Sequence, residues 1–158
     1  MEENIKDYFN TKIDIICPLY NAEKYIDSLN QSLLKQKYVA INEIKYVLTE
    51  SNDDTEELLE EIKNNNDKTE ELVKQTKNND KAEQFLKEIK NNNDKAEELI
   101  KETIINPEKV TTSTPKITYT KISKKDFSHS QVRENAAKES NADIIVFITQ
   151  DVVIENND

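Results

Sequence analysis

The apolar run Ile144-Ile145-Val146-Phe147-Ile148 passes directly into Thr149-Gln150-Asp151. A carboxylate at the tip of a buried strand loses hydration, so a cation or hydrogen-bond donors must meet it. Polar residues close two other apolar runs in the same way. Tyr20 and Asn21 come just after Ile13-Asp14-Ile15-Ile16-Cys17, and Glu50, Ser51 and Asp53 follow Glu43-Ile44-Lys45-Tyr46-Val47-Leu48-Thr49. A phenol, a hydroxyl and several carboxylates at strand tips are the makings of a site for a polar ligand.

The elements that must position them can be read from periodicity. Lys12 to Cys17 is a β-branched run, followed by a turn at Pro18-Leu19-Tyr20-Asn21 and then by Tyr25, Ile26, Leu29, Leu33 and Leu34 at helical spacing. Glu43 to Thr49 reads as a second strand, and Ser51-Asn52-Asp53 as the N-cap region of a helix that opens with Thr55-Glu56-Glu57-Leu58. After the linker-like Val110 to Pro115, the alternating KITYTKI segment is a third strand. Ser128 or Ser130 can cap a helix through Gln131 to Ser140, and IIVFI is the fourth strand. Strands alternating with helices predict an α/β fold, a Rossmann-like parallel sheet of about four strands with right-handed crossovers. Such sheets bind ligands beyond the carboxyl ends of their strands, where Tyr20, Glu50, Ser51, Asp53 and Asp151 all fall.

Composition narrows the function classes. The net charge of −10 argues against a nucleic-acid partner, because no basic stripe offsets phosphate repulsion. The N-terminal MEENIKDYFNTK has no apolar signal core, and no apolar run approaches the roughly 20 residues that cross a bilayer, so no transmembrane segment is expected and the chain reads as cytoplasmic. Cys17 is the single cysteine, which rules out an internal disulfide and a cysteine-based metal site and reads as a buried, inert thiol. Glycine is absent, so left-handed turn positions are expected to fall to asparagine.

Between the second and third strands lies a tandem repeat: DTEELLEEIKNNND (54–67), KTEELVKQTKNND (68–80), KAEQFLKEIKNNND (81–94) and a decaying KAEELIKETIINPE (95–108). The period keeps the Leu58/Leu59, Leu72/Val73, Phe85/Leu86 and Leu99/Ile100 pairs on roughly one side of a helix. Each copy pairs an acidic cap with a glutamate three residues on (Asp53–Glu56, Asp67–Glu70, Asp80–Glu83, Asp94–Glu97), and three copies carry a Glu four residues before a Lys. The reading is one long or kinked projecting helix over residues 65–109, with short stacked helices capped at the NNND segments as the alternative. Such a solvated arm offers a surface for self-association, or is an expansion without a role. The repeat also bears on Asp53, since Asp67, Asp80 and Asp94 hold the same place in copies that adjoin no strand.

Three segments taken in order, DIICPLYNAEKYI, YVLTESNDDTEELL and FSHSQVRENAAKESNADIIVFITQDVV, resemble the donor-binding half of a family 2 glycosyltransferase, in particular its rhamnosyltransferase-like members. The resemblance covers residues 11–64 and 110–156. It implies a nucleotide-sugar-binding α/β half domain of the glycosyltransferase A type, inverting chemistry, and a nucleoside diphosphate sugar as the donor for a surface polysaccharide. By position, Pro18 and Tyr20 line the nucleotide base, Glu50, Ser51 and Asp53 contact base or ribose, and Arg133 and Gln150 complete the donor site. Asp151 matches the last aspartate of the family's Asp-x-Asp signature, which holds a divalent cation, Mg²⁺ or Mn²⁺, on the donor diphosphate. That cation would be the partner its carboxylate needs.

Two departures accompany the resemblance. Thr149 stands in place of the first aspartate of the signature, so the cation would have one protein carboxylate, supplemented by water and phosphate. The acceptor site and the catalytic base of the family come from a segment after the last matched strand, so no residue here is assigned as catalytic and the chain as it stands is not expected to transfer sugar. The competing reading is a truncated, non-catalytic remnant or a helical-arm interaction protein. Individual residues have plainer roles too: a structural hydrogen bond for the loop residue His129, a surface pair with Glu134 or Asp143 for Arg133, and packing on the first helix for Tyr20.

Overall fold

The computed structural model describes residues 11–36, 39–76, 114–152 and 154. Four strands, β1 (Ile13–Leu19), β2 (Ile41–Thr49), β3 (Lys116–Ile122) and β4 (Ile144–Phe147), form one sheet in the order β3-β2-β1-β4, and every pairing is parallel. Among the described residues the helices are α1 (Ile26–Leu34), α2 (Thr55–Thr76) and α3 (His129–Lys138), with a 3-10 turn at Lys124–Asp126 before α3. This is the parallel, Rossmann-like α/β arrangement that the alternation of elements predicts.

Burial on both faces explains why the inner strands β1 and β2 are so apolar, whereas the edge strands β3 and β4 are partly exposed. On one face Ile15, Cys17 and Leu19 of β1 and Ile44, Tyr46 and Leu48 of β2 pack with Ile26, Leu29 and Leu33 of α1 and Leu59 of α2. On the other, Ile16 and Val47 pack with Val132 and Ala136 of α3. The period of two along each strand delivers successive side chains to opposite layers. Because β2 and β3 lie to one side of β1 and β4 to the other, the winding reverses between β1 and β4. A crevice at such a switch point is where open α/β sheets receive ligands.

The far ends of the strands are closed by polar contacts. Asp14, 3% exposed, accepts from Asn42 Nδ2 at 2.7 Å and from Ser140 Oγ at 2.6 Å, tying the starts of β1, β2 and β4. The Lys12 amide donates to Asp143 Oδ2 at 2.8 Å, and its carbonyl accepts from the amides of Asp143 and Ile144.

Several boundaries differ from the sequence reading. Pro18 and Leu19 do not begin a turn; they extend β1, opposite Val47 and Leu48 of β2. The β1–β4 ladder has already ended at Ile16↔Phe147, and the Ile16 carbonyl faces β4. By alternation the nitrogen of Pro18 faces that unpaired side, so its missing donor is tolerated. Strand β2 begins two residues earlier, at Ile41, and α3 begins at His129, so His129 is a helical rather than a loop residue.

The chain divides into two compact units, Met1–Asn64 with Pro115–Asp158, and Asn65–Thr114. The NNND segment at 64–67 does not interrupt α2, which makes Asp67 an interior helical residue and not a cap. Asparagine inside a helix costs only about 0.7 kcal/mol relative to alanine. The Thr69 hydroxyl donates to the Asn65 carbonyl at 2.8 Å, and Lys74 pairs with Glu70 at 2.5 Å, as the i,i+4 pattern predicts. The later repeat copies, with their Asp80 and Asp94 caps, lie outside the described residues.

Leu59 is fully buried and holds the start of α2 against the sheet. Leu59→Ala is expected to lower stability by about 2–5 kcal/mol through lost burial and the cavity left behind, read as a lower urea midpoint with unchanged slope.

Candidate functional site

The chain leaves β1 through Tyr20–Glu23, and four consecutive backbone N–H groups there are each paired by a side chain from a neighbouring strand tip or from the start of α2. The Tyr20 amide donates to Gln150 Oε1 (2.9 Å), Asn21 to Ser51 Oγ (3.0 Å), Ala22 to Thr55 Oγ1 (2.7 Å) and Glu23 to Asp53 Oδ2 (3.1 Å). Asn21 sits at φ 46°, the left-handed conformation expected of an asparagine in a chain without glycine. Its Oδ1 accepts from the Asn52 amide at 3.0 Å.

The supporting side chains are themselves held. The Ser51 hydroxyl donates to the Thr49 carbonyl at 2.8 Å while accepting from Asn21. The Thr55 hydroxyl, fully buried, donates to Asp53 Oδ1 at 2.6 Å while accepting from Ala22. Asp53 Oδ1 also accepts from the Thr55 amide at 3.3 Å at the start of α2. The reciprocal half of the expected capping box is absent among the described contacts, and Glu56 instead pairs with Lys121 at 2.5 Å. Desolvation alone would raise the Asp53 carboxyl, but hydrogen bonds from the Thr55 side chain and from the Glu23 and Thr55 amides hold it below the ordinary value of 3.8.

At the switch point between β1 and β4 lies a pocket of about 160 Å³. Pro18, Leu19 and Tyr20 line it from β1, Thr149 and Gln150 from the end of β4, and Phe127, His129 and Arg133 from α3 and its approach. The structure therefore brings Pro18, Tyr20, Arg133 and Gln150 together. Ser51 and Asp53 are not in the pocket lining; they brace the loop after β1. Glu50 is exposed beyond the end of β2, its amide donating to the Ile122 carbonyl at 2.8 Å. Asp151 is exposed, one residue past the lining, and β4 before it leaves Ile144, Val146 and Phe147 exposed, so the strand tip is not buried as the sequence suggests and the carboxylate keeps its hydration.

Positive charge gathers at this pocket in an otherwise acidic chain. The Arg133 guanidinium carbon lies 5.8 Å from the centre of the Phe147 ring, and its buried Nε has no hydrogen-bond partner among the described residues. The surface partners considered for it are engaged elsewhere: Glu134 pairs with Lys138 at 2.6 Å, and Asp143 accepts from the Lys12 amide. Lys124 Nζ stands 5.3 Å from the centre of the Tyr20 ring, and Tyr20 is 45% exposed. His129 meets Phe127 edge to face at 4.7 Å. Phe127 and Lys124 were not selected from the sequence; a cation and an aromatic in the segment before α3 carry no periodic signal.

Asp151 is held below the ordinary carboxylate range chiefly by a hydrogen bond from the Thr149 side chain and by its own backbone amide. The residue replacing the expected first aspartate is thus a hydrogen-bond donor to the second. Burial pushes the Cys17 thiol up to about 12, and the negative charge of Asp151 adds to the effect, so the thiol is inert. Among the described residues no group of three or more His, Cys, Asp or Glu side chains converges to hold a metal. An ionised, exposed carboxylate oriented by Thr149 nevertheless fits a one-carboxylate site for a hard cation whose other ligands are water and phosphate oxygens.

Strand order, winding and pocket together define a Rossmann-like half domain of the glycosyltransferase A type. The family model for glycosyl transferase family 2 matches residues 14–95. The chain belongs to that family. Of two similar solved structures of S. aureus TarS, the TarS 1-349 structure shares the fold. For TarS 1-349 the identity is 18% and the TM-score 0.51, over 89% of this chain and 27% of that one; for the longer TarS chain the values are 18%, 0.48, 89% and 16%. This chain thus spans about a quarter of the length of the TarS 1-349 chain. No curated protein matches the chain. Among the described residues no helix is long and apolar enough to cross a membrane.

The Asp53 network generates a pH-dependent test. A carboxyl whose folded pKa is depressed contributes stability that is present above its unfolded value and lost as the pH falls through the folded one. Asp53→Asn is expected to cost about 1 kcal/mol at pH 7, measured by urea denaturation. The gap from the parent chain should close as the pH falls below 3.8.

Proposed function

We propose that this chain is the donor-binding part of an inverting glycosyltransferase that takes a sugar from a nucleoside diphosphate sugar for a surface polysaccharide. The nucleoside enters the pocket between the tips of β1 and β4, against Pro18 and Tyr20. Arg133 and Lys124 face the diphosphate from one side. Asp151, steadied by Thr149, holds Mg²⁺ or Mn²⁺ on the other; when bound, the cation neutralises charge on the departing diphosphate. Glu50 is the polar side chain of the β2 tip left exposed toward ligand, while Ser51 and Asp53 act by shaping the loop that carries Tyr20. The Thr149-Gln150-Asp151 ending supports the rhamnosyltransferase-like branch of the family.

The observation that carries this reading is the pocket at the topological switch point, lined by Tyr20 and by an arginine whose buried Nε has no partner among the described residues. Its setting is cytoplasmic, where nucleotide-activated donors are held. Residues 11–64 and 110–156 form the donor-binding half domain, and residues 65–109 a helical repeat insertion available for self-association. The acceptor site and the catalytic base are assigned to no residue of this chain.

Calorimetric titration with UDP and dTDP in the presence of Mn²⁺ tests the reading. One nucleotide should bind, Asp151→Ala and Arg133→Ala should each weaken it at least about tenfold, the loss of a charge-assisted contact, and Lys124→Ala by a few-fold, as about 0.5–1 kcal/mol of exposed cation–π contact implies. Absence of binding to either nucleotide would favour a non-catalytic remnant.

A further inference from the structure

The β1–β4 ladder ends where the Ile148 amide donates to the Ile16 carbonyl at 3.1 Å. Beyond that point the two strand tips part around the pocket. They are joined again by one side chain: Gln150 Oε1 accepts from the Tyr20 amide at 2.9 Å, and Gln150 Nε2 donates to the Tyr20 carbonyl at 3.1 Å. The glutamine amide thereby copies a peptide group and supplies the strand pairing that the backbone has stopped making. Its orientation is set by chemistry, since the flipped amide would bring two donors together and two acceptors together.

We infer that Gln150 is a positioning residue that fixes the spacing between the Tyr20 ring and the Asp151 carboxylate, and so makes nucleoside binding and cation binding one event. This rests on the donor-site reading above. Tyr20 is the anchor of the nucleoside, Asp151 adjoins Gln150 and holds the cation, and the diphosphate must reach from one to the other. Both polar groups of the Gln150 amide are engaged by the Tyr20 main chain, so Gln150 acts on donor and cation through its neighbours. Glutamate cannot replace it, because a carboxylate has no hydrogen to give the Tyr20 carbonyl. Neither can asparagine, which is one methylene short of the reach from the β4 tip.

The test is the ratio of UDP or dTDP affinity with Mn²⁺ to that without it, for the parent chain and for two variants. Gln150→Met keeps the size and removes both hydrogen bonds. In the parent chain Mn²⁺ should tighten the nucleotide at least about tenfold, and in Gln150→Met the factor should fall toward about two, since two hydrogen bonds of ordinary net strength correspond to a change on the order of tenfold. Gln150→Glu is the control for folding and charge. An added carboxylate beside Asp151 would by itself raise the Mn²⁺ effect, whereas loss of the clasp lowers it. A variant that melts earlier yet keeps the parent ratio would show that Gln150 is only structural and overturn the inference while nucleotide binding stands. A parent chain that binds neither nucleotide, with or without Mn²⁺, overturns the donor-site reading and this inference together.

Discussion

A chain that leaves a buried parallel strand must satisfy the backbone amides it no longer pairs, and this requirement organises everything at the carboxyl end of the sheet. Residues 20–23 present four N–H groups in succession, and side chains from the tips of β2 and β4 and the start of α2 take one each. A buried unpaired donor costs about 1–3 kcal/mol, which applies to the Ala22 amide; the other three amides are exposed, and their side-chain contacts add direction to the loop. They also decide the direction of the Tyr20 ring and the entry into α1. With no glycine anywhere in the chain, Asn21 takes the left-handed turn, and its side chain returns a hydrogen bond to the β2 tip.

The same lacing separates two kinds of polar residue that look alike in sequence. Ser51, Asp53 and Thr55 pair with the backbone of the loop after β1, whereas Arg133 and His129 line the pocket and Asp151 is exposed. The pocket consequently sits on the β4 side of β1, at the winding reversal, and not between β1 and β2. Its electrostatics are local. Lys124 and Arg133 supply cations over aromatic rings in a chain of net charge −10, while the carboxylate of Asp151 is felt as far as the buried thiol of Cys17.

Much of the fold was legible because its signals are local. Burial on both faces writes IDIIC and EIKYVLT, the two inner strands, as nearly continuous apolar runs; IIVFI is as apolar, yet as the edge strand β4 it leaves Ile144, Val146 and Phe147 exposed. The errors fell where a neighbour overrode the local signal. Pro18 looks like a turn residue until β4 is seen to end short of it. Asp67 looks like a cap, but α2 continues through the asparagines. The Asp53–Glu56 box is half formed because Lys121 of β3 draws Glu56 away.

The amino-acid sequence by itself determined the alternation of strand and helix, the parallel sheet that follows from it, and the presence of polar residues at the strand tips, since each of these depends on neighbours within a few positions along the chain. Only the tertiary structure decided which tips face one another. The union of Tyr20 with Gln150, 130 positions away, and of Lys124 with the Tyr20 ring depends on β4 crossing to the far side of β1, a choice that no local pattern records. Whether a given carboxylate braces a loop, as Asp53 does, or stays exposed, as Asp151 does, was settled there too, because hydrogen-bond partners are assigned by proximity in space.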